Sequence, residues 1–81
     1  MNFYVYVIGS KKNNKVTYVG WTNNLKKRIY KHNSGSGAKF TRGSKWKILY
    51  FESFDSKIKA MKKEFVLKKD RKFRYFLRNK I

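Results

Sequence analysis

Arg28 and His32 fall on the apolar side of the helix that carries them, and charged groups so placed need a reason. Residues 23–33 read as an amphipathic helix, with Leu25 and Ile29 on the apolar stripe and Lys26, Lys27 and Lys31 opposite. Stepping about 100° per residue puts Arg28 and His32 inside the stripe begun by Leu25. A charge turned toward a sheet must be paired, or it must meet a charged ligand. The net charge is +18, with 22 Lys and Arg against only four acids, Glu52, Asp55, Glu64 and Asp70. In such a chain the ligand expected is a phosphate, and the expected partner is a polyanion. The plainer reading of the charge is compositional, since 17 of the 22 are Lys and coat neutral surfaces in many proteins.

The elements that must position these residues follow from local pattern. Residues 3–8 are a dense run of β-formers, residues 16–21 are a second, and the polar stretch 11–15 between them predicts an antiparallel hairpin. Thr22 or Asn23 is suited to cap the helix that follows, and Asn33-Ser34-Gly35 to end it. Residues 34–44 read as a Gly/Ser/Lys/Arg loop and 46–54 as a third strand. Asp55 or Ser56 caps a second helix to about residue 69, and Asp70 caps a last one ending near 79. The order β-β-α-β-α-α predicts an α+β fold: a three-stranded antiparallel sheet flanked by helices, as one domain over residues 1–81. There is no cysteine, which excludes disulfides and a thiolate zinc site, so a metal here should be a hard cation held by oxygen. The longest apolar run, 3–8, is far too short to cross a membrane and has no basic leader, which predicts a soluble, cytoplasmic protein.

Tyr4-Val5-Tyr6, Tyr18-Val19-Gly20, Arg28, His32 and Glu64, in that order and at these spacings, resemble the landmarks of the GIY-YIG nuclease superfamily. The resemblance covers nearly the whole chain. It is closest to the small stand-alone single-domain proteins and extends to the catalytic domain of the excision-repair incision nuclease. Tyr4 stands where the name motif has glycine, and Val5 and Val19 replace isoleucine. The resemblance implies a metal-dependent endonuclease that hydrolyses DNA phosphodiester bonds with one Mg²⁺ or Mn²⁺ ion. One of the two tyrosines would activate water. Tyr6 is favoured, with Tyr18 binding a phosphate or orienting the water. Arg28 would clamp the scissile phosphate through its planar fork. His32 would hydrogen-bond a phosphate or a tyrosine hydroxyl, and Glu64 would be the metal ligand.

Each residue also has a plainer reading. The tyrosines could be core aromatics, Arg28 could reach past the apolar edge to water, and His32 could be structural. Glu64 could pair with Lys68 one helical turn on, contributing only ~0.3–0.5 kcal/mol. DNA contacts are expected from the loop 35–47, where Lys39, Arg42, Lys45 and Lys47 surround glycines. Phe40 and Trp46 could stack on bases, although Trp46 suits a core equally well. Strong site specificity would call for a partner protein or a dimer. The alternative function is a non-catalytic nucleic-acid-binding module on the same scaffold. Repair, recombination, competence and mobile-element roles are all compatible with the residues.

Overall fold

The central strand explains most of the architecture. In a computed structural model that describes residues 2–12 and 15–81, β1 (Phe3–Ser10) is buried from Val5 to Ser10, because it lies between two partners. It pairs antiparallel with β2 (Val16–Thr22) on one side and β3 (Lys47–Phe54) on the other, giving the order β2-β1-β3. Tyr6 stands opposite Gly20 and Ile8 opposite Tyr18, so Tyr6 and Tyr18 share a face one diagonal step apart. A register shift between Val7 and Ile8 bulges the β1–β3 pairing.

The two faces are covered differently. Val5, Val7 and Val19 pack with Ala60, Leu67 and Leu77 from α2 (Lys57–Lys69) and α3 (Arg71–Arg78). Tyr6, Ile8 and Trp46 form a separate cluster, joined by Leu25 and Ile29 of α1 (Leu25–Ser34) and by Tyr18. The alternation of β1 thus sorts its valines to one side and its two tyrosines, Tyr4 and Tyr6, to the other. Ser56 caps α2 through Lys59 N, and Asp70 ends α2 and caps α3 through Phe73 N.

The β-β-α-β-α-α order is the one the sequence predicts, with differences at three junctions. Asn24 caps α1, in place of Thr22 or Asn23, and the helix begins at Leu25. Thr22 Oγ1 accepts from Asn24 N instead, a local turn that sets up the cap. The stretch 34–44, read as plain loop, contains a 3-10 turn at Lys39–Thr41. β3 starts at Lys47, because the Trp46 N–H donates to Asn33 Oδ1 at 2.5 Å and Asn33 Nδ2 donates back to Trp46 O at 3.1 Å. A side-chain amide thus occupies both backbone groups of Trp46 and joins the end of α1 to the start of β3. Within the expected hairpin loop, Asn13 and Asn14 lie outside the described residues.

Asn33→Ala should lower stability by about 1–2 kcal/mol, the scale for losing two partly exposed hydrogen bonds to backbone. For a chain of this size that is a fall of roughly 4–8 °C in Tm per kcal/mol, readable by thermal melting. An unchanged Tm would mean that the amide does not hold this junction.

Candidate active site

The site begins with a missing side chain. Tyr6 lies across from Gly20, where a Cβ would sit 2.5 Å from Tyr6 Oη and 2.7 Å from Cζ. Glycine there lets the phenol lie across the neighbouring strand and reach α1. Its hydroxyl is 2.8 Å from His32 Nε2, and the two rings meet edge to face at 5.7 Å. His32 Nδ1 is 2.9 Å from Thr41 Oγ1 in the 3-10 turn, and the Thr41 hydroxyl donates to Ala38 O at 2.7 Å. That hydroxyl has one proton, already directed at Ala38, so His32 Nδ1–H must donate to it. Nε2 is then the acceptor, and the Tyr6 hydroxyl donates to it. Gly37 closes the other side, since a Cβ there would stand 2.6 Å from His32 Nδ1.

Tyr6, His32 and Thr41 are all fully buried. Burial, and secondarily the charge of Arg28, lowers the His32 pKa to about 4, which fits the neutral tautomer assigned from the hydrogen bonds. Burial also raises the Tyr6 pKa, and the bond from Arg28 only partly opposes it. Arg28 Nε donates to Tyr6 Oη at 3.3 Å. Among the described residues its two terminal nitrogens have no hydrogen-bond partner, so the fork that grips an anion is held by its stem and left available. Arg28 lines a small cleft of about 170 Å³ with Thr22, Asn23, Asn24, Lys27 and Lys31.

Tyr18 is half-buried and differs from Tyr6 in its contacts. Its ring meets His32 edge to face at 5.3 Å and stacks on Phe40 at 6.2 Å with 19° between planes. Its hydroxyl has no hydrogen bond among the described residues. The expected group of Tyr6, Tyr18, Arg28 and His32 is therefore brought together, with the more buried tyrosine bonded internally and the more exposed one not.

Glu64 comes from the opposite layer. It follows buried Ala60 by one turn and precedes buried Leu67 by nearly one, so it shares the stripe of α2 that faces the sheet. Its side chain is 21% exposed, and its carboxylate is 3.8 Å from Lys68 Nζ. Its charge is felt at Tyr6, where it is the weakest of the influences on the hydroxyl. The described residues contain no group of three or more His, Asp or Glu able to hold a metal together. A single carboxylate suits a hard cation that takes its other ligands from water and phosphate oxygens, and would not suit zinc. The other acids are engaged elsewhere: Asp55 with Lys59, Glu52 with Tyr50 and Lys63, and Asp70 as a cap.

Lys39, Arg42, Lys45 and Lys47 are all exposed but do not form one cluster. Lys39 and Arg42 flank the turn that carries Phe40 and Thr41, whereas Lys45 and Lys47 line a groove of about 630 Å³ with Lys11 and Lys12. Trp46 is only 4% exposed, and its indole N–H donates to Thr41 O at 2.9 Å, so it is a core residue and no base platform. Sequence reasoning assigned no role to Thr41 or Gly37, and it named Gly20 only as part of the Tyr18-Val19-Gly20 landmark without the space it leaves for Tyr6. Tyr6 opposite Gly20 becomes readable once the hairpin register is known, whereas Thr41 lies in a loop with no periodicity to mark it.

The chain matches the model of the GIY-YIG catalytic domain over residues 2–79. It is 49% identical to a UPF0213 protein of Clostridium perfringens over 67 residues, covering 82% of this chain and 70% of that one. A UPF0213 protein of Pediococcus acidilactici is 44% identical over 70 residues, covering 83% and 69%. The solution NMR structure of a UPF0213 protein from Bacillus halodurans is 38% identical and has a TM-score of 0.56, covering 95% of this chain and 82% of that one.

The buried neutral imidazole makes stability depend on pH. The unfolded chain binds the proton with a pKa near 6.5 and the folded chain only near 4, so stability is full above 6.5 and is lost as pH falls toward 4. Between pH 6.5 and 5, above most carboxylate titration, urea unfolding should show a loss on the order of 1–2 kcal/mol. His32→Gln should flatten that limb; an equal slope in the variant would assign it to other groups.

Proposed function

Because the chain belongs to the GIY-YIG catalytic-domain family, we propose that it is an endonuclease that hydrolyses DNA phosphodiester bonds with the help of one divalent ion, Mg²⁺ or Mn²⁺. The observation that carries this reading is the guanidinium of Arg28. It is tied by Nε to Tyr6, has no hydrogen-bond partner for either terminal nitrogen among the described residues, and opens on a cleft beside Lys27 and Lys31. A structural arginine would be expected to use its fork on the protein.

The roles follow from contacts and burial. Arg28 holds the scissile phosphate and stabilises the negative charge that builds on its oxygens. Tyr18, whose hydroxyl has no hydrogen bond among the described residues and whose ring is steadied by His32 and Phe40, passes its hydroxyl proton to solvent as it takes the proton of the attacking water. This reverses the order favoured from sequence, because the Tyr6 hydroxyl is fully buried, is raised in pKa and already donates to His32. Tyr6 and His32 are positioning residues that set the place of Arg28 and the tilt of Tyr18. The water oxygen bonds to phosphorus as the phosphorus–ester oxygen bond breaks, and the leaving oxygen takes up a proton from solvent water. Glu64 would hold the metal ion, which when bound neutralises charge on the phosphoryl oxygens. Lys39, Arg42, Lys45 and Lys47 would meet the sugar-phosphate chain on either side of the turn.

The rival reading, a non-catalytic nucleic-acid-binding module, draws on the 3.8 Å contact between Glu64 and Lys68, which an ordinary surface pair would also give. Glu64→Gln separates the two. Mg²⁺-dependent nicking should be lost while DNA affinity is kept or slightly raised; retained nicking would remove Glu64 from the site. Arg28→Ala should cost ~10²-fold or more in nicking rate with little change in Tm. Full activity in Arg28→Ala would return that residue to a structural role.

A further inference from the structure

A further basic cleft lies beside Phe40. It is about 440 Å³ and is formed by Lys15 just before β2, by Thr17 in β2, by Phe40, and by Arg71, Tyr75 and Arg78 of α3. No acid lines it. Phe40 is shared with the site, since its ring stacks on Tyr18 at 6.2 Å. Thr17 and Val16 precede Tyr18 directly, so the cleft reaches within about 3–7 Å of it along the strand. Tyr75 is 63% exposed, and the Arg78 guanidinium carbon lies 5.5 Å from the centre of its ring. Arg71 is exposed at the first turn of α3.

We propose that this cleft binds the DNA strand that leads away from the scissile phosphate, in single-stranded form, with one base stacked on Tyr75 and adjacent phosphates on Arg71 and Lys15. This rests on the reading of the chain as a DNA-cleaving protein and adds what form of DNA it takes. The chemistry favours a single strand because an exposed aromatic face has no use for a duplex, whose bases are already stacked, whereas an unstacked base finds a partner there. The cations supply the sequence-independent part of the grip. Arg74 lines the same cleft but is committed to Leu67 O and Lys68 O, at 3.1 and 2.8 Å, so it holds α3 to the end of α2.

The test is anisotropy of a labelled short oligo-dT and of a duplex, titrated in chelator so that no cleavage enters the reading. Tyr75→Ala should weaken oligo-dT binding about ten-fold and leave the duplex unchanged. Arg71→Glu should lower the slope of log affinity against log salt by about 0.7 on the single strand. Lys62→Glu, which makes the same charge change on the exposed side of α2 outside the cleft, should leave that slope as it is. Undiminished oligo-dT binding in Tyr75→Ala overturns the proposal. So does an equal loss on the duplex, equal slopes for Arg71→Glu and Lys62→Glu, or tighter binding of oligo-rU than of oligo-dT. Since cleavage is read separately through Glu64→Gln, failure here leaves the endonuclease reading standing, and failure there leaves this binding result interpretable.

Discussion

Three segments distant in sequence meet at one imidazole that has no contact with water. β1 brings Tyr6, α1 brings His32, and the 3-10 turn brings Thr41. An imidazole buried in this way must satisfy both nitrogens within the protein, and it must do so neutral. Protonation would place a second cation beside Arg28, and the Tyr6 oxygen already accepts from Arg28 Nε. The direction of every proton in the chain then follows from the last link, the Thr41 hydroxyl on Ala38 O. Gly20 and Gly37 are consequences of the same constraint, because a side chain at either position would occupy the space of Tyr6 or His32. Without this arrangement neither the stem of Arg28 nor the ring of Tyr18 would have a fixed support.

The central strand divides labour between its faces. On one side, Val5 and Val7 meet Ala60, Leu67 and Leu77, an aliphatic contact that is non-directional and worth about 1.5–3 kcal/mol for each large side chain buried. On the other, Ile8 packs in an apolar cluster while Tyr6 and Tyr18 meet a short helix through a hydrogen bond and ring edges. The first face supplies stability that tolerates changes of shape, and the second supplies geometry that does not. A chain of 81 residues without cysteine has little stability to spare, so the aliphatic contacts of the α2–α3 face offset the cost of the buried polar groups on the α1 face.

The strands, the helices and their order were legible because hydrophobic period and capping residues act locally. Arg28 and His32 were legible for the same reason, as polar residues in an apolar stripe. Glu64 carried the same signal, standing between Ala60 and Leu67 on the buried side of α2, and it could have been read that way from spacing alone. What could not be read was which tyrosine is reachable from water. Both lie in β-former runs, and only the order β2-β1-β3 shows that one is on a central strand and the other on an edge. The junction at Trp46 was also hidden, since it depends on a side-chain amide on α1 meeting backbone groups 13 residues away. Long-range hydrogen bonds to loops leave no local period.

The excess of positive charge gives these details a common direction. Each Lys or Arg on the surface raises the free energy of the compact chain by repulsion, and a bound polyanion relieves it. That field acts on every anion alike and cannot select a phosphate for reaction. Selection needs a cation whose orientation is fixed before the ligand arrives, so that no reorganisation is required on binding. Arg28 meets that condition: its Nε is used on a tyrosine whose own hydroxyl is committed to a buried histidine, and rotation of the guanidinium would break the bond that holds it. Lys39 and Lys45 of the loop are exposed and have no such side-chain tether among the described residues. On the proposed reading, the basic surface would concentrate a polyanion, and the buried Tyr6–His32–Thr41 chain would fix the cation that holds one phosphate still.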